Sequence, residues 1–177
     1  MLSRLALSDG DLVTYQDAEA QDENIVLRAS LSSAFQEFCR ELVELRPSME
    51  ALTRHHLNLS KRDSCVVAAE SDWIRGAFNM CVPIEIKSAD HAKRCIFRCP
   101  MPHKLAETQY PGTVDEKMGA EIGAYVWMQE HCQDIRIPHL YGFGFSDGRY
   151  VRLVLGSSSC HLRCADFTFS VTRLPIR

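Results

Sequence analysis

From Asp63 to Leu155 the sequence alternates short apolar runs with turn residues, and it breaks that rhythm once for a long helical period. That order leaves few folds open. Cys65-Val66-Val67-Ala68-Ala69 has strand length, and 80–86 is a second run, rich in branched residues. Pro83 inside it has no N–H for a ladder, so an edge or a bulge is expected there. Between the two runs the one glycine, Gly76, marks where the chain turns back. Residues 94–99 predict a third strand, ended by Pro100 and Pro102. After Pro111-Gly112 a helix is predicted to start at 113–115, with Met118, Ile122, Tyr125, Met128 and Cys132 in period. Asp115 and Glu116 fall in its first turn, where the helix dipole favours acids. The runs 139–145 and 150–155 flank Asp147-Gly148 and predict a hairpin.

Upstream of this block the pattern is simpler. Residues 1–23 are polar and acidic without a period and predict a flexible N-terminal tail. A helical lead-in follows over 24–62. Leu27, Leu31, Phe35, Phe38, Leu42 and Leu45 form one apolar stripe. Pro47 is expected to stop that helix and Ser48 to cap a second, with Met49, Leu52, His56 and Leu57 on one side. Downstream, 156–177 changes character and predicts an irregular C-terminal tail. The fold class is thus α+β: two helices, then a five-stranded antiparallel sheet with one packed helix over 63–155.

At 177 residues the chain is long enough for one domain with a core. The net charge of -3, with both signs interspersed, argues against a nucleic-acid partner. No apolar stretch approaches the roughly 20 residues of a membrane span. The opening Met1-Leu2-Ser3-Arg4-Leu5-Ala6-Leu7 meets Asp9 and Asp11 too soon for a signal peptide. The expected compartment is cytoplasmic, with a mitochondrial address as the alternative, and the eight cysteines are then read as reduced thiols. Cys95 and Cys99 on one strand would stand about 13 Å apart, too far for one zinc ion. Cys160, Cys164 and His161 lack a partner pair, and His55 and His56 are adjacent on a helix and point apart. No metal ligands are assigned.

Several phrases, taken in order, carry a resemblance. They are Ala51-Leu52-Thr53-Arg54-His55-His56-Leu57, Gly76-Ala77-Phe78-Asn79 before a branched strand, and Ile96-Phe97-Arg98-Cys99-Pro100. Asp115-Glu116-Lys117 through Glu121 to Trp127 follows, then Ile137-Pro138-His139-Leu140-Tyr141-Gly142-Phe143-Gly144. From about Pro47 to Tyr150 the chain resembles fungal members of the aminoglycoside phosphotransferase superfamily, a kinase-like group, over their N-terminal lobe. The resemblance implies a sheet and one helix roofing a nucleotide. It places Gly76, Ala77, Phe78 and Asn79 in the hairpin over the phosphates, where small residues let backbone N–H groups approach an anion. It places Arg98 where the family fold holds the phosphates with a lysine, and some relatives carry arginine there. Glu121 takes the place of the glutamate that pairs with this base. On the residues alone, Gly76 also fits an ordinary hairpin turn, Arg98 a solvent-facing charge and Glu121 a surface acid.

The implied parent activity is ATP-dependent phosphorylation of a small-molecule hydroxyl, with ATP and a small-molecule acceptor as partners and magnesium only if a catalytic lobe is supplied. Such chemistry needs an aspartate beside the hydroxyl, an asparagine shortly after it and a second acid for magnesium. Residues 161–166 do not match that loop, and Asp166-Phe167-Thr168 resembles D-F-G only by chance. No catalytic residue is assigned. The chain is expected to be a truncated member, leaving the family frame near Arg152 and inactive alone. The alternative is a non-catalytic binding or regulatory module, accessory to a fungal metabolic pathway, that docks a protein on the exposed underside of the sheet.

Overall fold

A computed structural model describes residues 4–7, 12–20, 24–89, 92–132, 134–152, 161–163 and 169–173. It divides into two compact units, Met1–Glu44 and Leu45–Arg177.

In the first unit, β1 (Leu5–Ala6) pairs antiparallel with β2 (Leu12–Val13). The helix α1 (Tyr15–Glu19) follows, capped reciprocally by Thr14 and Asp17: Thr14 N–H donates to the Asp17 carboxylate at 3.0 Å, and the Thr14 hydroxyl accepts from Asp17 N–H. Leu7 and Val13 are buried in one cluster with Ile25, the first residue of α2 (Ile25–Glu44). The described part of 1–23 thus carries two short strands, a helix and part of a small apolar cluster, where the sequence showed no period. The α2 stripe is corrected at one position, since Leu27 is exposed. Ile25 is turned into the cluster, and a residue two positions on lies about 200° around the helix.

The second unit opens with α3 (Arg46–Leu57), which buries Met49, Leu52, Thr53 and His56. Pro47 does not stop a helix here and Ser48 does not cap one. Pro47 lies in the first turn of α3, where its missing N–H has no intrahelical partner to lose. Asn58 closes α3 in the left-handed region at φ 53.

Then come β3 (Ser64–Val67), β4 (Ile74–Arg75), β5 (Asn79–Lys87) and β6 (Ala92–Pro100), followed by α4 (Thr113–His131). The chain continues through β7 (Leu140–Gly144), β8 (Arg149–Arg152), β9 (His161–Arg163) and β10 (Phe169–Arg173). The strands from β3 onward form one antiparallel sheet in the order β3-β5-β6-β10-β7-β8-β9, with β4 also on β5. Pro83 sits where the neighbouring strand leaves β5, between the pairs Val67–Ile84 and Ile74–Cys81.

The class is α+β with an antiparallel sheet, but among the described residues the sheet has eight strands rather than five. The 156–177 segment is not irregular throughout: β10 enters the middle of the sheet. Its Val171 lies between Phe97 of β6 and Gly142 of β7 and is wholly buried. Register assigns the two faces. Val82, Phe97, Val171 and Gly142 share one face, and α3 covers it with His56 against Gly142. Cys81, Arg98, Ser170 and Phe143 share the other. There α4 packs Met118 and Ile122 on Leu140 and Phe143.

Candidate functional site

The site is built where α4 crosses the second face of the sheet. The start of α4 is fixed by an acid upstream of it. Glu107 accepts from Gly112 N–H at 2.6 Å, from the Thr113 hydroxyl at 2.8 Å and from Val114 N–H at 2.7 Å. Gly112 itself takes φ 99, which glycine adopts freely. Partial desolvation pushes the Glu107 carboxyl up, and the donors at Gly112, Val114 and Thr113 outweigh it, so its pKa lies below the usual glutamate value. In the same first turn, the Asp115 carboxylate accepts from Ser146 N–H at 3.1 Å and from the Ser146 hydroxyl at 2.6 Å, tying α4 to the β7–β8 hairpin. The position of α4 along the sheet is thereby set from both sides.

This places Glu121 over β6. Arg98 forms an ion pair with Glu121 at 3.3 Å, the two side chains being 22% and 30% exposed. At that exposure solvent screens the pair less than at the open surface, while a ligand can still reach it. Two residues that the sequence presents separately, one on a strand and one on a helix, are thus brought together. Lys117, one turn before Glu121, pairs with the other carboxylate oxygen. Cys81 is opposite Arg98 in register on β5. Burial raises its thiol pKa, and the adjacent Arg98 opposes that rise through its charge and a hydrogen bond. Lys117 and Cys81 were not singled out from the sequence as site residues. The i, i+4 spacing of Lys117 and Glu121 was a usable signal, whereas the Cys81–Arg98 register was not.

Gly76, Ala77 and Phe78 form the turn between β4 and β5, and all three are exposed. Gly76 N–H donates to Asn79 C=O at 2.8 Å, and a Cβ on Gly76 would stand 3.2 Å from that oxygen. The glycine therefore serves a close approach. Phe78 C=O accepts from Met101 N–H at 2.8 Å, which ties the tip of the hairpin to the end of β6. Asn79 is buried, and its Oδ1 has no hydrogen-bond partner among the described residues. In register Asn79 is opposite Pro100, two residues beyond Arg98, and β4 lies two strand spacings, about 10 Å, from β6. The hairpin and the Arg98–Glu121 pair are thus at one end of the same sheet.

The remaining side chains bear on access. Val66, Ile74 and Phe78 are each at least half exposed. Val66 is paired through Glu85 to Arg94, and Ile74 through Cys81 to Arg98, so both lie on the Arg98 face. The underside of the sheet is covered by α4 over Leu140 and Phe143 and open along β3 and β4. Cys95 and Cys99 are both buried on β6. Burial lifts the pKa of the Cys99 thiol and brings that of Cys65 up to about 11. Cys160, Cys164 and residues 164–168 lie outside the described residues. Among the described residues no cluster of three or more His, Cys, Asp or Glu side chains could hold a metal ion. Nor is any helix there long and apolar enough to cross a membrane. No protein-family model, curated protein sequence or solved structure matches the chain.

Proposed function

We propose that the second unit is the nucleotide-facing lobe of a kinase-like small-molecule phosphotransferase, of the aminoglycoside phosphotransferase type that its sequence resembles. The observation that carries this reading is the ion pair between Arg98 and Glu121. A guanidinium held by a helix carboxylate over the underside of a sheet is pre-organised to bind phosphoryl oxygens, and at 22% exposure Arg98 remains within reach of a ligand. In this reading the turn 76–78 lies over the phosphates, and Glu121 fixes the direction of Arg98. The parent reaction moves the γ-phosphoryl of ATP to a hydroxyl of a small molecule, with magnesium. The aspartate, asparagine and second acid of that reaction would come from another lobe, so these 177 residues are assigned binding and not catalysis.

Thermal unfolding with and without ATP tests the reading. A ligand at a hundred times its Kd stabilises a native state by about 2.7 kcal/mol. The expected result is a concentration-dependent rise in Tm that Arg98→Ala abolishes. No rise, or a rise that survives Arg98→Ala, would refute it.

A second reading, a docking module for a protein partner, draws on the exposure of Val66, Ile74 and Phe78. It predicts concentration-dependent association by sedimentation without nucleotide affinity, reversed by Ile74→Glu. A chain that stays monomeric at all concentrations and binds no added protein speaks against it.

A further inference from the structure

Glu121 is shared. Its Oε2 faces Arg98 at 3.3 Å and its Oε1 faces the Lys117 ammonium, so one carboxylate is clasped by two cations. Two cations against one carboxylate leave the cluster with a net positive charge. Lys117 is 20% exposed, close to the 22% of Arg98, so both cations are partly desolvated and still within reach of solvent. A fully matched structural pair would need one cation, not two. Excess positive charge at a partly dehydrated place attracts an anion, and two cations on the two oxygens of one carboxylate suit an anion with more than one charged group.

We infer that Lys117 is a second cationic contact for the ligand, and that with Arg98 it selects a linear di- or triphosphate over a single phosphate group. The inference rests on the nucleotide reading of the Arg98 site and adds a residue and a specificity to it. Arg98, whose planar fork is directed by Glu121, takes one phosphoryl group. Lys117 is a point charge on a flexible stem and takes the next. Glu121 keeps the two cations from repelling each other when the site is empty.

The test is titration calorimetry at fixed ionic strength with inorganic tripolyphosphate and, separately, orthophosphate. The unaltered chain, Lys117→Met, Lys117→Gln, Lys117→Arg and Arg98→Ala are compared, with circular dichroism to establish that each is folded. Lys117→Met is expected to weaken tripolyphosphate binding about tenfold, the scale of one charge-assisted contact, and orthophosphate binding by less than about twofold. Lys117→Gln should match it, and keeps the test available if the methionine variant does not fold. Lys117→Arg should stay within about threefold of the unaltered chain, because it keeps the charge. Unchanged tripolyphosphate affinity in Lys117→Met or Lys117→Gln overturns the inference, as does an equal loss for both anions or failure of Lys117→Arg to bind. If those results come with binding that Arg98→Ala abolishes, the nucleotide reading survives and the Lys117 assignment alone falls. If the unaltered chain binds neither anion, both fall.

Discussion

A methyl group on Gly142 would stand 2.3 Å from the His56 ring, closer than real side-chain atoms approach. Gly142→Ala should therefore destabilise the second unit by about 1–3 kcal/mol, the usual cost of overpacking, read as a lower denaturant midpoint at unchanged slope. An unaltered midpoint would mean that His56 moves aside freely. Cys65 gives a prediction in pH. Its folded pKa of about 11 lies above its ordinary value, so the unfolded chain loses this proton first as pH rises. The fold should lose stability between pH 9 and 11 and gain nothing from this thiol below that window. Per-site labelling at pH 8 should find Cys65 slow, and fast labelling there would contradict its burial. At this scale the sequence was informative where chemistry is local. Arg98 and Glu121 were reached only through the phrases that carry the resemblance, their residue types alone reading as surface charges, whereas the contact of His56 with Gly142 joins residues 86 apart and carries no local mark.

Helix α4 depends on a residue outside itself. Glu107 caps three donors at its start, so Glu107→Ala should cost about 1 kcal/mol and fray the first turn, seen as faster amide exchange at Val114. Because the folded pKa of Glu107 is depressed, this contribution is present above the ordinary glutamate pKa and is lost as pH falls through the folded value. Equal exchange in both proteins would remove Glu107 from the account of how Glu121 is placed. The body of α4 was legible in its apolar period, as were β5, β6 and the β7–β8 hairpin. The cap was not, because an acid six residues before a helix has no fixed spacing to recognise. Pro47 misled for a related reason: proline stops a helix in its interior and starts one in its first turn, and only the structure distinguishes the two. The strand β10 was overlooked although Phe169-Ser170-Val171-Thr172 alternates as strands do. Its unpatterned surroundings concealed it.

On the scale of the whole second unit, the sheet divides its work between two faces. The face under α3 is closed, with Val82, Phe97 and Val171 wholly buried. The other is closed by α4 at one end and open along β3 and β4, with Arg98 and Glu121 at the border between the two parts. A charged pair at such a border is partly desolvated and still accessible, which is the condition for binding a phosphate in preference to free water. The order of β3, β5, β6, α4, β7 and β8 was readable from residue periodicity and turn residues, and β4, β9 and β10 were not foreseen. The slot that β10 fills was not, because pairing between distant strands is set by packing rather than by local pattern. The proposed nucleotide site therefore depends on Arg98 being held ready for a phosphate. Titration calorimetry of ATP into the unaltered chain and into Arg98→Ala tests this most directly. A single site is expected in the unaltered chain, abolished by Arg98→Ala while the variant stays folded. No heat of binding in the unaltered chain, or equal binding in both, would contradict it.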